Sequence, residues 1–153
     1  AATDRGVCFA QFGASEAALR AELAREFPAA DVRDATDADP VALDDWMRAL
    51  EAHLAGGAPR PDLPLDLRGT AFQIRVWTFL TGTRDGDVLT YKALADGIGA
   101  PTAIRAAASA CAANRIAVLV PCHRVLRGDG GLGGYRWGED RKRALLAAEA
   151  ARR

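Results

Sequence analysis

The sequence predicts an α/β unit followed by a mainly α-helical unit that contains a helix-turn-helix. Three observations predict this. A strand-like segment near the start leads into two amphipathic helical patterns; the stretch from Ala58 to Pro64, with three prolines in seven residues, then interrupts the chain; beyond it, helical patterns separated by glycine turns dominate. The boundary falls so that residues 1–64 form the first unit and residues 65–153 the second. With 153 residues, 50% of them hydrophobic, the chain can bury roughly two thirds of its unfolded surface, enough for one ordinary domain or two small ones.

Residues 6–12 (Gly6-Val7-Cys8-Phe9-Ala10-Gln11-Phe12) read as a strand. Ser15 then caps a helix on which Leu19, Leu23 and Phe27 recur every four residues before Pro28. A second helix takes Asp39 as its cap and Pro40 in its first turn. It carries Leu43, Trp46, Met47, Leu50 and Leu54 on one stripe and stops at Gly56-Gly57. His53 lies beside that stripe and reads as a packed or rim histidine. After the prolines, Thr70 caps a helix bearing Phe72, Val76, Trp77 and Leu80, which Gly82 ends.

Thr90 caps a short helix that runs to Asp96, a turn follows at Gly97–Pro101, and a second helix is expected over Thr102–Ala113. Two short helices about a glycine turn make a helix-turn-helix. The second is almost wholly small side chains around Arg105. A helix that reads bases in the major groove offers several long polar side chains. This one could instead lie close to a groove and push one arginine into the duplex, which suits minor-groove binding without sequence readout. A tightly packed core helix would explain the alanines equally well, but not Arg105.

Composition narrows the class. No apolar run approaches the roughly 18 to 20 residues that span a bilayer, and Ala1–Arg5 lacks the apolar core of a signal peptide, so a cytoplasmic protein without a membrane partner is expected. Cys8, Cys111 and Cys122 have no C-x-x-C spacing and the only histidines are His53 and His123, so reduced thiols and no metal site are expected. Net charge is zero, yet residues 1–65 hold 6 basic and 12 acidic residues and residues 66–153 hold 14 and 8. If the chain meets phosphate, the C-terminal half meets it.

Chemistry concentrates late in the chain. Ile116–Val120 reads as a buried strand that delivers Pro121-Cys122-His123-Arg124-Val125 to its end. A thiolate is the nucleophile, and an unassisted thiol of pKa about 8.5 is only a few per cent ionised at neutral pH. His123 could take the proton directly or through water, with Arg124 and the basic half supplying positive charge. Neighbours on an extended segment point to opposite faces, so the pair alone leaves catalysis open. Glu149 sits four residues after Leu145 on the last helix, Glu139–Ala150, and shares its inward face. It could orient His123 or be a surface glutamate. Gly128–Gly133 matches G-x-G-x-x-G, but the turn-and-aromatic stretch Gly134–Gly138 cannot open a helix on a pyrophosphate. It reads as a flexible loop beside Cys122. Cys8 and Cys111 read as small packing residues.

The segment from Leu63 to Glu149 resembles the O6-alkylguanine-DNA alkyltransferases, most closely the C-terminal domain of bacterial Ada-type proteins. The resemblance is carried by Leu65–Phe72, Ala108–Asn114, Pro121–Val125 and Gly134–Gly138. It implies a ribonuclease-H-like cap domain over residues 1–64, to which residues 1–62 match more loosely, and a winged-helix-like second domain. It further implies transfer of an alkyl group from O6-alkylguanine in double-stranded DNA, with O4-alkylthymine a second possible substrate, to Cys122. His123 would be the water-mediated base, Glu149 the acid that orients it, Asn114 the brace of the pocket, and Tyr91 the donor to the departing guanine. Arg105 would fill the place of the flipped nucleotide, with Thr90, Ala106 and Ser109 also on the DNA side, and Val125, Tyr135 and Arg136 would line the base pocket. The protein would act once, as a monomer, without a cofactor.

The chain opens where the family has already run an earlier strand, so an incomplete cap domain is expected. The four-cysteine zinc domain of Ada-type proteins has no counterpart here, so neither zinc nor direct gene activation is expected. Two other classes stay in view: a non-catalytic sensor of alkylated bases, against which the presence of Cys122 speaks, and a cysteine hydrolase, which would not call for Arg105 or the helix-turn-helix.

Overall fold

The computed structural model describes residues 1–36, 39, 43–56 and 58–152. Pro40 and Gly57, the expected first-turn and stop signals of the second helix, lie outside the described residues. The fold is a small α/β structure with six α-helices among the described residues. Strands β1 (Ala2–Thr3) and β2 (Gly6–Val7) pair antiparallel, with Ala2 opposite Val7. Helices α1 (Glu16–Glu26), α2 (Leu43–Leu54) and α3 (Ala71–Thr81) follow, then β3 (Leu89–Thr90), α4 (Tyr91–Gly97) and α5 (Ile104–Ala112). A 3₁₀ turn at Cys122–Arg124 leads into β4 (Val125–Leu126), and α6 spans Glu139–Ala150.

Three of the four expected caps act as the sequence indicates, whereas the Asp39 carboxylate accepts from Thr36 N at 2.7 Å and Arg33 Nη1 at 2.9 Å, before α2 begins at Leu43. Ser15 Oγ accepts from Ala18 N, and Thr90 Oγ1 from Ala93 N. Thr70 forms a reciprocal box: its hydroxyl accepts from Gln73 N at 3.2 Å while Gln73 Oε1 accepts from Thr70 N at 2.9 Å. The last helix of the helix-turn-helix starts at Ile104, not Thr102, because Ala103 N donates to Ala100 O and residues 101–102 are used in that turn.

Two expected strands are corrected. Over residues 6–12 regular pairing stops at Val7, since the chain beyond is stitched to separate segments. Val7 bridges Leu65, Ala10 N donates to Arg115 O, and Ala117 N donates to Ala10 O. Gly6 at φ 138° permits this crossing, because a Cβ there would fall 2.2 Å from the Pro64 carbonyl oxygen. Residues 116–120 are buried as expected but coil back on themselves: Leu119 N donates to Ala117 O, Val120 N to Ile116 O, and Cys122 N to Val120 O. Val118 takes φ 70° in that coil. Such a conformation in a β-branched residue costs about 1–3 kcal/mol and persists where packing over-determines it.

Most of the core comes from residues 65–153, with Val7 joining it and Phe12, Trp46 and Leu50 packed against it. Val76, Leu80, Leu94, Ala95 and Ala107 are fully buried, and Trp77 donates its indole N–H to Ala110 O at 2.8 Å. Alanines at 107 and 110 let α5 approach α3 and α4 closely. The first unit is thinner: α1 buries no residue completely and α2 only His53, whose Nδ1 meets Ala58 O at 3.1 Å. Met47 and Leu54, expected on an inward stripe, are 47% and 40% exposed. The proline-rich connection is pinned rather than loose, for Arg60 donates to Leu119 O and Thr81 O, both at 2.6 Å. No helix among the described residues is long and apolar enough to cross a membrane.

Replacing Thr70 by Ala removes one arm of the box on α3, the helix at the centre of the core. The variant should lose about 1 kcal/mol of unfolding free energy, read as a lower urea midpoint at unchanged slope; an unchanged midpoint would show that the box contributes nothing.

Candidate active site

Cys122 opens the 3₁₀ turn and is 4% exposed. Its Sγ accepts a hydrogen bond at 3.1 Å from Asn114 Nδ2, which also donates to Val120 O at 3.0 Å. Asn114 Oδ1 accepts from Ile116 N at 2.8 Å, so the amide orientation is fixed on both sides. Burial pushes the Cys122 thiol up to about 11, opposed by the Asn114 hydrogen bond and by Lys142. At neutral pH the thiol is therefore largely protonated.

His123 Nε2 lies 2.8 Å from Glu149 Oε1, and both side chains are buried. Burial lowers the His123 pKa, and the Glu149 hydrogen bond only partly restores it, so the ring is neutral. With Nε2–H given to Glu149, Nδ1 carries the lone pair, and Nδ1 is buried with no hydrogen-bond partner among the described residues. Glu149 also accepts from Arg124 Nε at 2.9 Å, from Arg124 Nη2 at 2.7 Å and from Gly86 N at 3.0 Å. Burial alone would raise its pKa; the hydrogen bonds from His123 and Arg124 outweigh this and hold the carboxyl well below its ordinary value.

Arg124 does not serve the thiol. It is fully buried, and its remaining donors go to Asp85 Oδ1 at 2.6 Å and to Thr83 O and Oγ1 at 2.7 and 2.8 Å. The cation that reaches Cys122 is Lys142, which the sequence reading missed. Its ammonium is fully buried, donates to Val125 O at 2.6 Å and to Leu132 O, and bears electrostatically on Cys122 and Cys111. A signal existed: Lys142, Leu145 and Glu149 follow the i, i+3, i+7 spacing of one helix face. Asp85, Thr83 and Gly86, from an unremarkable loop, carried none.

Strand pairing gathers the remaining residues. Leu89 opposes Val125 and Thr90 opposes Leu126 in a parallel pair, which sets the start of α4 beside the end of the Cys122–Arg124 turn. Tyr91 is half-buried; burial raises its pKa, and the thiols of Cys111 and Cys122 add to the rise. Gly133 passes so near it that a Cβ would sit 3.4 Å from Tyr91 Oη. Val125 is fully buried. Tyr135 packs edge-on against His123, centroids 6.5 Å apart, and its hydroxyl is buried without a hydrogen-bond partner among the described residues. Arg136 is the exception among the expected pocket residues. Its guanidinium meets Glu22 Oε1 at 2.7 Å and Glu26 Oε1 at 2.6 Å on α1, since two carboxylates outcompete an apolar pocket for a cation.

On α5, Ala107, Ala110 and Cys111 face inward while Arg105, Ala106 and Ser109 are exposed; Thr90 is half-buried. Arg105 makes no ion pair among the described residues. Cys111 and Cys8 are buried free thiols, and burial raises the pKa of both. No cluster of three or more His, Cys, Asp or Glu able to hold a metal occurs among the described residues.

The family model for the 6-O-methylguanine DNA methyltransferase, DNA binding domain, matches residues 71–151, which include the whole Asn114–Cys122–His123–Glu149 set. The chain belongs to this family. It is 47% identical over 150 residues, 98% of its length, to the bifunctional transcriptional activator/DNA repair enzyme Ada of Escherichia coli K12, and it spans 41% of that relative's length. A methylated-DNA–protein-cysteine methyltransferase of Mycobacterium tuberculosis is 47% identical over 114 residues, 74% of this chain and 69% of the relative. The fold resembles the solved OGT of M. tuberculosis in complex with DNA, with TM-score 0.70 and 47% identity over 74% of this chain and 71% of that one. The O6-methylguanine-DNA methyltransferase of Pyrococcus kodakaraensis aligns with TM-score 0.60 and 30% identity, over 85% and 76% of the two chains.

Glu149→Gln would leave buried Arg124 short of a carboxylate, a loss of about 3–5 kcal/mol for breaking a buried pair. The sign with pH follows from its lowered folded value: the carboxylate's contribution is complete above its ordinary 4.5 and lost as pH falls below that. Unfolding free energy measured from pH 7 downward should therefore fall less steeply below pH 4.5 in the variant than in the parent; parallel curves would remove Glu149 from the account.

Proposed function

We propose that this protein repairs DNA by moving an alkyl group from the O6 atom of guanine in double-stranded DNA to Cys122 Sγ, once per molecule. The observation that carries this reading is a buried thiol held by Asn114 beside a neutral imidazole whose Nε2 is tied to a buried carboxylate. The family to which the chain belongs and the names of its relatives point to the same chemistry.

His123 Nδ1 takes the thiol proton through a water, and Glu149 stabilises the imidazolium as it forms. The thiolate attacks the alkyl carbon, a C–S bond forms, and the C–O bond breaks with its electron pair leaving on guanine. Tyr91 donates a hydrogen bond to that leaving base, and Lys142 keeps positive charge beside the developing thiolate. Val125 and Tyr135 line the base pocket. The product is a thioether that no resident group reverses.

The target atom is inside the base stack, so the nucleotide is flipped out at a cost of a few kcal/mol and Arg105 fills the gap. The exposed face of α5, with Ala106 and Ser109 and with Thr90 nearby, suits close approach to the minor groove. We assign the ribonuclease-H-like cap to residues 1–64 and the winged-helix-like, DNA-binding and acceptor domain to residues 65–153. The protein acts as a monomer in the cytoplasm, and O4-alkylthymine is a second substrate to be tried.

Mixing the protein with a duplex containing one O6-methylguanine should add a single methyl mass, mapped to Cys122 and saturating at one per molecule, and Cys122→Ala should bind the duplex without gaining mass. Binding by the parent chain with no mass change would establish the non-catalytic sensor instead.

A further inference from the structure

Asn114 fixes the acceptor sulfur, and the residues that flank or touch its backbone, Arg115 and Arg136, are held by the first unit. Arg115, the next residue, donates from Nε to Glu26 Oε2 at 2.5 Å and from Nη1 to Arg68 O at 2.9 Å. Arg136 donates to Glu26 Oε1 and Glu22 Oε1, and its Nη1 lies 3.4 Å from the Asn114 carbonyl oxygen. Glu26 therefore spends one carboxylate oxygen on each arginine. These side chains are sheltered rather than free in solvent: Glu26 is 16% exposed and Glu22, Arg136 and Arg115 are 23%, 24% and 30%. Burial acts to raise the Glu26 pKa, yet hydrogen bonds from Arg136 and Arg115 leave it below its ordinary value.

The two arginines sit at functional positions. One follows Asn114, whose amide holds Cys122 Sγ; the other lies between Tyr135, packed on His123, and Trp137. Trp137 repeats the link to the first unit, donating to Gln11 Oε1 at 3.3 Å and meeting Phe12 edge-on at 6.2 Å. If α1 served only to cover the core, it would not need two acidic side chains aimed at the segments that hold the sulfur and the imidazole. It buries no residue fully in the core, so these ion pairs and the Phe12–Trp137 contact add to the backbone bonds of Ala10 with Arg115 and Ala117 in attaching the first unit.

We propose that Glu22 and Glu26 are positioning residues for the acceptor thiol: through Arg136 and Arg115 they hold Asn114 against Cys122 and Tyr135 against His123, making the first unit part of the transfer machinery. The inference assumes Cys122 as the acceptor. Without the carboxylates, Arg136 has nothing to pull toward α1, the Asn114 peptide gains freedom, and the hydrogen bond that favours the thiolate weakens.

The test compares the full chain with the double variant Glu22→Gln/Glu26→Gln, the single variant Glu26→Gln, and Arg20→Gln as a control that alters α1 charge on its exposed side. Each is reacted with iodoacetamide from pH 6 to 10, with Cys122 modification followed by peptide-mapped mass spectrometry, and separately with the O6-methylguanine duplex. Thermal midpoints are measured alongside. The double variant should react about fivefold more slowly at pH 7, with its pH profile displaced to higher pH, while remaining folded at the assay temperature and binding DNA as before. The single variant should fall between, and Arg20→Gln should match the parent. An unmoved profile, or a slowing equal at every pH and proportional to lost stability, would overturn the proposal and leave the acidic pair as adhesion between units. Failure of the parent chain to accept a methyl group would instead defeat the reading of its function, because the iodoacetamide profile does not depend on DNA.

Discussion

One buried carboxylate organises the C-terminal half. Glu149 receives four hydrogen bonds, from His123 Nε2, from Arg124 Nε and Nη2, and from Gly86 N. It thereby ties α6 to the Cys122–Arg124 turn and to the loop that precedes β3. A charge removed this far from water is tolerable only when each lone pair is answered. Arg124 answers most of it and brings in Asp85 and Thr83, so the same interaction that orients His123 also packs residues 83–86 beneath it. The imidazole cannot turn without unpairing a buried charge, so the ring beside Cys122 is held in one orientation.

Placing a cysteine in such a core works against its ionisation, and the structure offsets this locally. Burial raises the thiol, while Asn114 and Lys142 work in the opposite direction. Lys142 is neutralised by no carboxylate among its hydrogen-bond partners; two backbone carbonyls, from Val125 and Leu132, hold it. Its charge is therefore available to the sulfur, and its two carbonyl contacts anchor both ends of the segment between β4 and the aromatic turn. Electrostatic assistance and loop placement come from one side chain.

The thin first unit gains its place by contact with the second rather than by a core of its own. Helix α1 has no fully buried residue, yet its Glu22 and Glu26 meet arginines adjacent to Asn114 and Tyr135, and Phe12 packs on Trp137. The opposite net charges of the two halves take on a structural meaning there. Part of the acidic excess of the first unit meets the basic excess of the second, while Arg105 on α5 forms no ion pair among the described residues.

Local signals in the sequence determined the three caps, the span of α3, the two helices around the Gly97–Pro101 turn, the inward face of α6 that carries Glu149, and the Pro121–Val125 run with its candidate nucleophile. All of these depend on residues within a few positions of one another, which is the range over which capping and periodicity act. Only the tertiary structure decided the rest. Residues 116–120 are as apolar as a strand but, among the described residues, meet only the isolated Ala10–Ile116 bridge and otherwise close on themselves, with Val118 at positive φ. Arg124 and Arg136 carry nothing in their neighbourhoods to say which carboxylates they will meet, because Glu149, Asp85, Glu22 and Glu26 lie 25 to 114 positions away. A charge settles where the field of the folded chain is most favourable, and that field does not exist until the distant segments have come together.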